Sequence, residues 1–342
     1  MEADKGLPFL QQLKNVARYE DGKVIILDRR VYPAKTEFVE CGHYYDVAQA
    51  IFDMVTQSYG PWVASAYGMV IAGKIANNLE KDQAINELKK AAHVLTHARP
   101  TTSQGMVRSI NSILECGLKT VAEGKDVEKS LLDHVNQILE ARYVDDRRLA
   151  TYAVSLLPDP ATVLTQCYAE TLIGFILLVS IEQGKKISLI CPETRPYLQG
   201  ARLTASMAYD LGVPTTVITD NMPAYVLSKG NVNAFICAAD VITLDGYVVN
   251  KIGTFQIALA AHYHKVPFYV TRNPSTDNPT IDTVEIEERN PEETLYAMGV
   301  RTAKQGVQGY YPAFDITPPS LVSAVITSRG VFSPFDLQNN FG

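Results

Sequence analysis

The chain lacks most of the features that would announce a particular partner. Its five cysteines (Cys41, Cys116, Cys167, Cys191, Cys237) form no CxxC pair and follow no leader-like N-terminus. Widely spaced thiols of this kind are expected to be reduced, which implies a cytoplasmic setting and excludes a disulfide framework. No run of Lys or Arg stands out and the net charge is only -6, so no nucleic acid and no membrane surface is expected as a partner. The longest apolar stretch, 172–181, stops at Glu182 and Lys185, short of the roughly 20 residues of a membrane span, and reads as a buried helix. GxxxxGK[ST] is missing, and no GxGxxG follows a strand, which argues against a nucleotide or dinucleotide cofactor. His93 and His97 stand four apart without the Glu of HExxH or a suitably spaced third ligand. No metal and no cofactor are expected from them. His262 and His264 read as packing or surface groups.

What is present is a chain of 342 residues with an ordinary share of apolar and charged side chains, enough for about two domains at roughly 150 residues each. Residues 24–27 (VIIL) and 36–40 (TEFVE) read as short strands around Pro33. Behind Asp126 as N-cap, Val127, Leu131, Leu132, Val135, Ile138 and Leu139 fall at helical spacing. The first part, 1–145, is therefore expected to be helical with a short sheet. From about residue 160 the rhythm changes to apolar runs alternating with helical stretches: 162–166, 186–191, 215–219, 234–244 and 267–271. Continuous apolar strands with helices between them imply an α/β fold in 146–342, with a mainly parallel, Rossmann-like sheet covered on both faces.

In such sheets ligands bind beyond the carboxyl ends of the strands. Polar residues end nearly every run here: Gln166-Cys167, Cys191 through Arg195, Thr219-Asp220-Asn221, Asp240, and Thr271-Arg272-Asn273. Cys167 falls between a strand and a helix beginning near Thr171, where helix amides favour a thiolate. An isolated cysteine is as often a small core residue. Asp240 interrupts the apolar run 234–244, where a carboxylate is costly unless paired or used. Asp245 in Leu244-Asp245-Gly246 reads as a turn residue. Asn250-Lys251-Ile252-Gly253-Thr254 leads into a helix, so its amides and Lys251 are candidates to meet a phosphate. Arg99, Arg195 and Arg202 add cations near the same rim.

Together these segments resemble a known family. CPETRPYLQGARLTA (191–205), ITDNMPAY (218–225), AADVITLDGYVVNKIGT (239–254), VEIEERNPEE (284–293) and PAFDITPPSLVSAVIT (312–327) are similar to the methylthioribose-1-phosphate isomerase family. ARPTT (98–102), SAYG (65–68) and DRRVYP (28–33) extend the likeness into the first half. That family shares its fold with ribose-1,5-bisphosphate isomerases and with regulatory subunits of the translation-initiation guanine-exchange factor. The resemblance implies that Cys167 and Asp240 are the catalytic pair and that Arg99, Gln199, Asn250 and Lys251 hold phosphate and sugar. It also implies a homodimer. Where the family carries Arg-Gly-Ala-Pro in its phosphate loop, this chain reads Thr56-Gln57-Ser58-Tyr59-Gly60-Pro61-Trp62, so Ser58, Tyr59 and Gly60 take that place without the arginine. The turn after Cys167 also departs, with Tyr168-Ala169-Glu170-Thr171 where the family favours Asn-Ala-Gly and a small residue. The implied reaction converts a pentose 1-phosphate, 5-methylthioribose or 5-deoxyribose 1-phosphate, to the ketose 1-phosphate. Ribose-1,5-bisphosphate isomerisation, or sugar-phosphate sensing without catalysis, are the alternatives.

Overall fold

The computed structural model describes residues 2–98, 104–297 and 299–342. Internal contacts divide the chain into two units, Met1–Val144 and Asp145–Gly342. In the first, after α1 (Leu13–Val16), the strands β1 (Ala17–Glu20), β2 (Lys23–Leu27) and β3 (Phe38–Cys41) form an antiparallel sheet. The helices α2 (Tyr44–Phe52), α3 (Gly60–Ala76), α4 (Lys81–Thr96) and α5 (Gln104–Ala122) follow, and α6 (Val127–Ser155) runs across the boundary. Asp126 caps α6 as its sequence position predicts, accepting from the Lys129 N–H at 3.1 Å. Almost every side chain of α3 is buried, which suits a helix that is apolar all round.

The second unit opens with β4 (Ala161–Leu164), α7 (Thr171–Glu182), β5 (Ile187–Pro192), α8 (Ala205–Asp210), β6 (Thr215–Ile218), α9 (Pro223–Ser228) and β7 (Ala234–Ala238). The short β8 (Val241–Ile242) and β9 (Val248–Lys251) come next, then α10 (Thr254–Tyr263) and β10 (Phe268–Thr271). The hairpin β11 (Tyr296–Ala297) and β12 (Val300–Arg301) precedes β13 (Phe314–Thr317), β14 (Ala324–Thr327) and β15 (Gly330–Phe332). The main sheet has the order β15-β14-β10-β7-β4-β5-β6. All its pairs are parallel except β14 with β15. The apolar stretch at 172–181 is the buried helix α7, as expected. No helix among the described residues is long and apolar enough to cross a membrane.

One expected strand divides. The run 234–244 leaves the main sheet after Ala238, and β8 pairs instead with β9 in a small antiparallel sheet of order β13-β9-β8. The break falls at Ala239-Asp240, so Asp240 stands at a strand end rather than inside a strand. The chain also runs β4, β5, β6 outward on one side and then returns to place β7 on the other side of β4. The sheet order thus reverses between β4 and β7. In open α/β sheets a crevice forms at that switch point, beyond the carboxyl ends of the two strands.

Candidate active site

Cys167 lies just beyond β4 and Asp240 just beyond β7, so the two flank the switch point. Cys167 has φ +60°, a left-handed conformation that costs a residue with a Cβ about 1–2 kcal/mol. Two contacts hold it there: its N–H donates to Thr194 Oγ1 at 3.2 Å, and its carbonyl accepts from the Thr204 hydroxyl. Glu170, Thr194 and Leu198 in the same pair of loops also have positive φ. Strain concentrated in this way is characteristic of functional turns.

Lys251, only 3% exposed, lies on β9 and donates from Nζ to the Tyr311 hydroxyl at 3.2 Å. Its ammonium is 5.3 Å from the centre of the Phe314 ring, and the Arg289 guanidinium is 5.4 Å from the same ring. Arg289 is held by Glu287 through two bonds, Nε to Oε1 at 2.9 Å and Nη2 to Oε2 at 3.1 Å. Burial and the neighbouring Arg289 push Lys251 down to about 8, while Cys167, Asp240 and Glu287 pull it back up. Burial pushes the Cys167 thiol up to about 11, against the Lys251 charge and the Tyr168 N–H, which favour the thiolate. The helix amides expected to ionise Cys167 are outweighed, and the unliganded protein holds it as a thiol. Asp240 is exposed. The apolar enclosure expected from the run 234–244 is therefore not found, because the chain has left the sheet before reaching Asp240.

Asn250 is buried and donates to Thr254 Oγ1 at 3.0 Å and to Cys237 Sγ at 3.5 Å. Gln199 is buried at the end of the loop after β5, and its Oε1 has no partner. Gln166 is likewise buried: its Nε2 donates to Ile252 O at 3.1 Å and its Oε1 is left over. Two orphaned amide oxygens on one rim are suited to accept from sugar hydroxyls.

The phosphate role expected of the α10 amides meets a competitor. Asp315 Oδ2 accepts from Gly253 N at 2.7 Å, and both its oxygens accept from Phe255 N at 3.1 Å. A carboxylate from β13 fills that helix terminus. Gly253 itself has φ +103°, and a Cβ there would lie 2.9 Å from Gln166 Nε2, so both the turn and the close approach require glycine. Arg195 and Arg202 are partly spoken for by carbonyls, donating to Tyr296 O and Tyr197 O.

Ser58, Tyr59 and Gly60 belong to the first unit and are described there on their own. Ser58 is exposed with φ +57°. Tyr59 stacks on Trp62 at 4.7 Å and carries the Arg142 guanidinium 3.4 Å from its ring centre. Fully buried Arg29 donates to Gln57 O at 2.6 Å, and a Cβ on Gly60 would come within 3.1 Å of Arg29 Nη1. The loop lacks its own arginine, yet a buried one underpins it. Arg99 lies outside the described residues.

The residues that sequence reasoning passed over are Tyr311, Arg289, Glu287 and Arg29. The first three stand in or beside the stretches 284–293 and 312–327: the Arg289 N–H donates to Tyr311 O and the Ala313 N–H to Glu287 O, and β13 pairs with β9, contacts that only the fold reveals.

The model of the initiation factor 2 subunit family (IF-2B) matches residues 57–334. Methylthioribose-1-phosphate isomerase from Desulforamulus reducens is 36% identical over 95% of this chain and 97% of its own length. The crystal structure of 5-methylthioribose 1-phosphate isomerase from Pyrococcus horikoshii OT3 superposes with a TM-score of 0.84 at 27% identity, covering 99% of this chain and 96% of that one. The structure titled translation initiation factor eIF-2B, subunit delta, from A. fulgidus gives 0.80 at 33% identity over 94% and 96%. Two neighbours so alike under such different titles share one fold, while the relatives matched along nearly their whole length carry the isomerase name. The chain belongs to the initiation factor 2 subunit family and, within it, to the methylthioribose-1-phosphate isomerases.

Proposed function

We propose that this chain isomerises a 5-substituted or 5-deoxy ribose 1-phosphate to the ribulose 1-phosphate, with Cys167 and Asp240 as the working pair. The observation that carries the reading is their placement on either side of the β4/β7 switch point, within electrostatic reach of each other and of buried Lys251. An aldose 1-phosphate cannot open to its aldehyde, because the phosphate locks C1. The proposed route opens the ring by elimination, and a direct hydride shift from C2 to C1 is the competing route. Asp240, in its protonated form, gives its proton to the ring oxygen as the C1 to ring-oxygen bond breaks, while the Cys167 thiolate takes the C2 proton. The C2–H electron pair becomes the C1=C2 bond of an enol phosphate. Asp240 then takes the O2 proton, C2 becomes the carbonyl, and Cys167 returns its proton to C1. Seating substrate over Asp240 excludes water from the carboxyl and favours its protonated form. Gln199, Asn250 and Lys251 are the proposed sugar and phosphate contacts of this unit; for Arg99, Ser58, Tyr59 and Gly60 the same role is proposed from the family resemblance alone.

The departures at 56–62 and 168–171 leave the group on C5 as the open choice between methylthio and hydrogen. Turnover of 5-methylthioribose, 5-deoxyribose and ribose 1-phosphates, with ribose 1,5-bisphosphate, decides it: one of the first two is expected to dominate in kcat/KM. Absence of turnover across the panel would favour a sugar-phosphate sensor without catalysis. A cytoplasmic location suits five free thiols. A homodimer suits the exposed apolar side chains of α9 and α10, Tyr225 at 66% and Tyr263 at 81%, and sedimentation at a single mass of one chain would refute it.

A further inference from the structure

We infer that Tyr311 is a further catalytic residue of this site, donating its O–H to the oxygen on C2 of the sugar as the enolate forms. The inference rests on the isomerase reading and adds a residue to it.

A phenol offers one proton and two lone pairs. Lys251 Nζ donates to the Tyr311 oxygen at 3.2 Å, and the Arg289 charge acts on the phenol as well. The ammonium has no lone pair with which to accept. One lone pair of the phenol is thus engaged, and its proton must point away from Lys251. Among the described residues, no bond is found in which Tyr311 donates. A donor left unused on a residue 3% exposed is costly, and a ligand oxygen would remove that cost.

The surroundings aim and sharpen this donor. Glu287 grips Arg289 through two bonds, so that cation cannot turn away. Lys251 and Arg289 stand 5.3 and 5.4 Å from the centre of the Phe314 ring. The ammonium donating into the phenolic oxygen polarises its O–H and strengthens the bond it gives. Tyr311 is within electrostatic reach of Cys167, the group proposed to take the C2 proton, and O2 on that same carbon is the oxygen that gives up its proton to Asp240 in the next step. Burial pushes the phenol up to about 12, so it keeps its proton throughout the working range. Fixed donors aimed at an oxygen that gains charge are worth about a hundredfold or more in kcat.

Tyr311→Phe removes the O–H and keeps the ring. The expected result is a fall in kcat of about a hundredfold with KM changed by no more than about threefold. Substrate carrying deuterium at C2 gives a second readout. Its primary isotope effect on kcat/KM should fall below that of the wild type, because loss of the O2 proton, after C2–H cleavage, becomes the slow step. That ratio is set by the folded enzyme alone, so partial misfolding does not move it. Wild-type kcat in Tyr311→Phe, or a loss of rate with the isotope effect unchanged, overturns the inference and leaves the isomerase reading standing. Failure of the wild type to convert any pentose 1-phosphate removes both together.

Discussion

The N-termini of α7 and α10 face the same carboxyl edge of one sheet, yet they are finished in opposite ways. At α10 a carboxylate from a strand far along the chain, Asp315, takes the Gly253 and Phe255 amides. At α7 the entry is a strained turn with Cys167 at φ +60° and Glu170 at φ +46°, and the Glu170 side chain makes no capping bond. The loop after β5 resembles α10: Asp220 clips the Thr194 and Arg195 amides at 2.8 and 2.7 Å. Where a carboxylate fills a turn, the turn is braced and closed to anions. Where none does, the turn carries a reactive side chain whose charge is set by Lys251 and burial. The lesson is that a helix N-terminus offers a site only if the rest of the fold has not already claimed it.

The largest effect that could break this contrast is at the open turn. Cys167→Ser and Asp240→Asn are each expected to lower kcat by about a thousandfold or more, measured with whichever pentose 1-phosphate the wild type prefers. Wild-type rates in both would remove the pair from the mechanism.

A dependence on pH comes next. Cys167 stands at about 11 and Lys251 at about 8, and the reaction as proposed needs the thiolate, the ammonium and the protonated carboxyl of Asp240 together. Once Asp240 has ionised, each gain in thiolate is matched by a loss of that acid, so kcat/KM should be flat up to about 8. Between about 8 and 11 the ammonium is lost as well, and the profile should fall with unit slope. A profile that climbs through pH 8 would contradict this assignment.

Lys251→Met tests the same coupling without substrate. Loss of the positive charge raises the thiol further, and alkylation of Cys167 by iodoacetamide at pH 7, where Lys251 is charged, followed by site-resolved mass spectrometry, should slow about fivefold or more. Unchanged labelling would mean that Lys251 does not act on the thiol.

At the closed turn the effect is on stability. Asp315→Ala leaves two amides unmet and should cost about 1–2 kcal/mol in urea unfolding. Burial raises Asp315 to about 6, above its value in the unfolded chain. The folded state therefore binds the extra proton, and the stability linked to it is full below about pH 4 and lost as the pH rises through 6. The gap between wild type and Asp315→Ala should accordingly narrow from pH 4 to 7. A gap that widens would show that the carboxylate, not the acid, is the better cap.

The alternation of apolar runs located β4 through β7 and β10 to within a residue or two, and polar residues at their ends marked the rim, because both follow from local composition. The interruption of 234–244 by Asp240 was visible as well, but its meaning was not. A run of apolar residues cannot reveal that its second half pairs in another sheet, so Asp240 looked enclosed and is exposed. The capping of α10 by Asp315 depends on β13 lying antiparallel to β9, with Asp315 opposite Asn250. No local pattern around Gly253 contains that information. Tyr311 and Arg289 escaped notice for the same reason: each is an ordinary residue until register brings it to Lys251. Arg29 escaped for the converse reason, since an arginine is expected at the surface and this one is wholly buried.

The protonated state of Cys167 has a consequence beyond the reaction. Peroxide and electrophilic metabolites attack thiolates far faster than thiols, and they climb from sulfenic toward irreversible sulfinic and sulfonic acids. A thiol that rests at about 11 presents almost no thiolate to them. For the proposed base, the burial that holds its proton in the empty site also shields the sulfur from oxidants between turnovers.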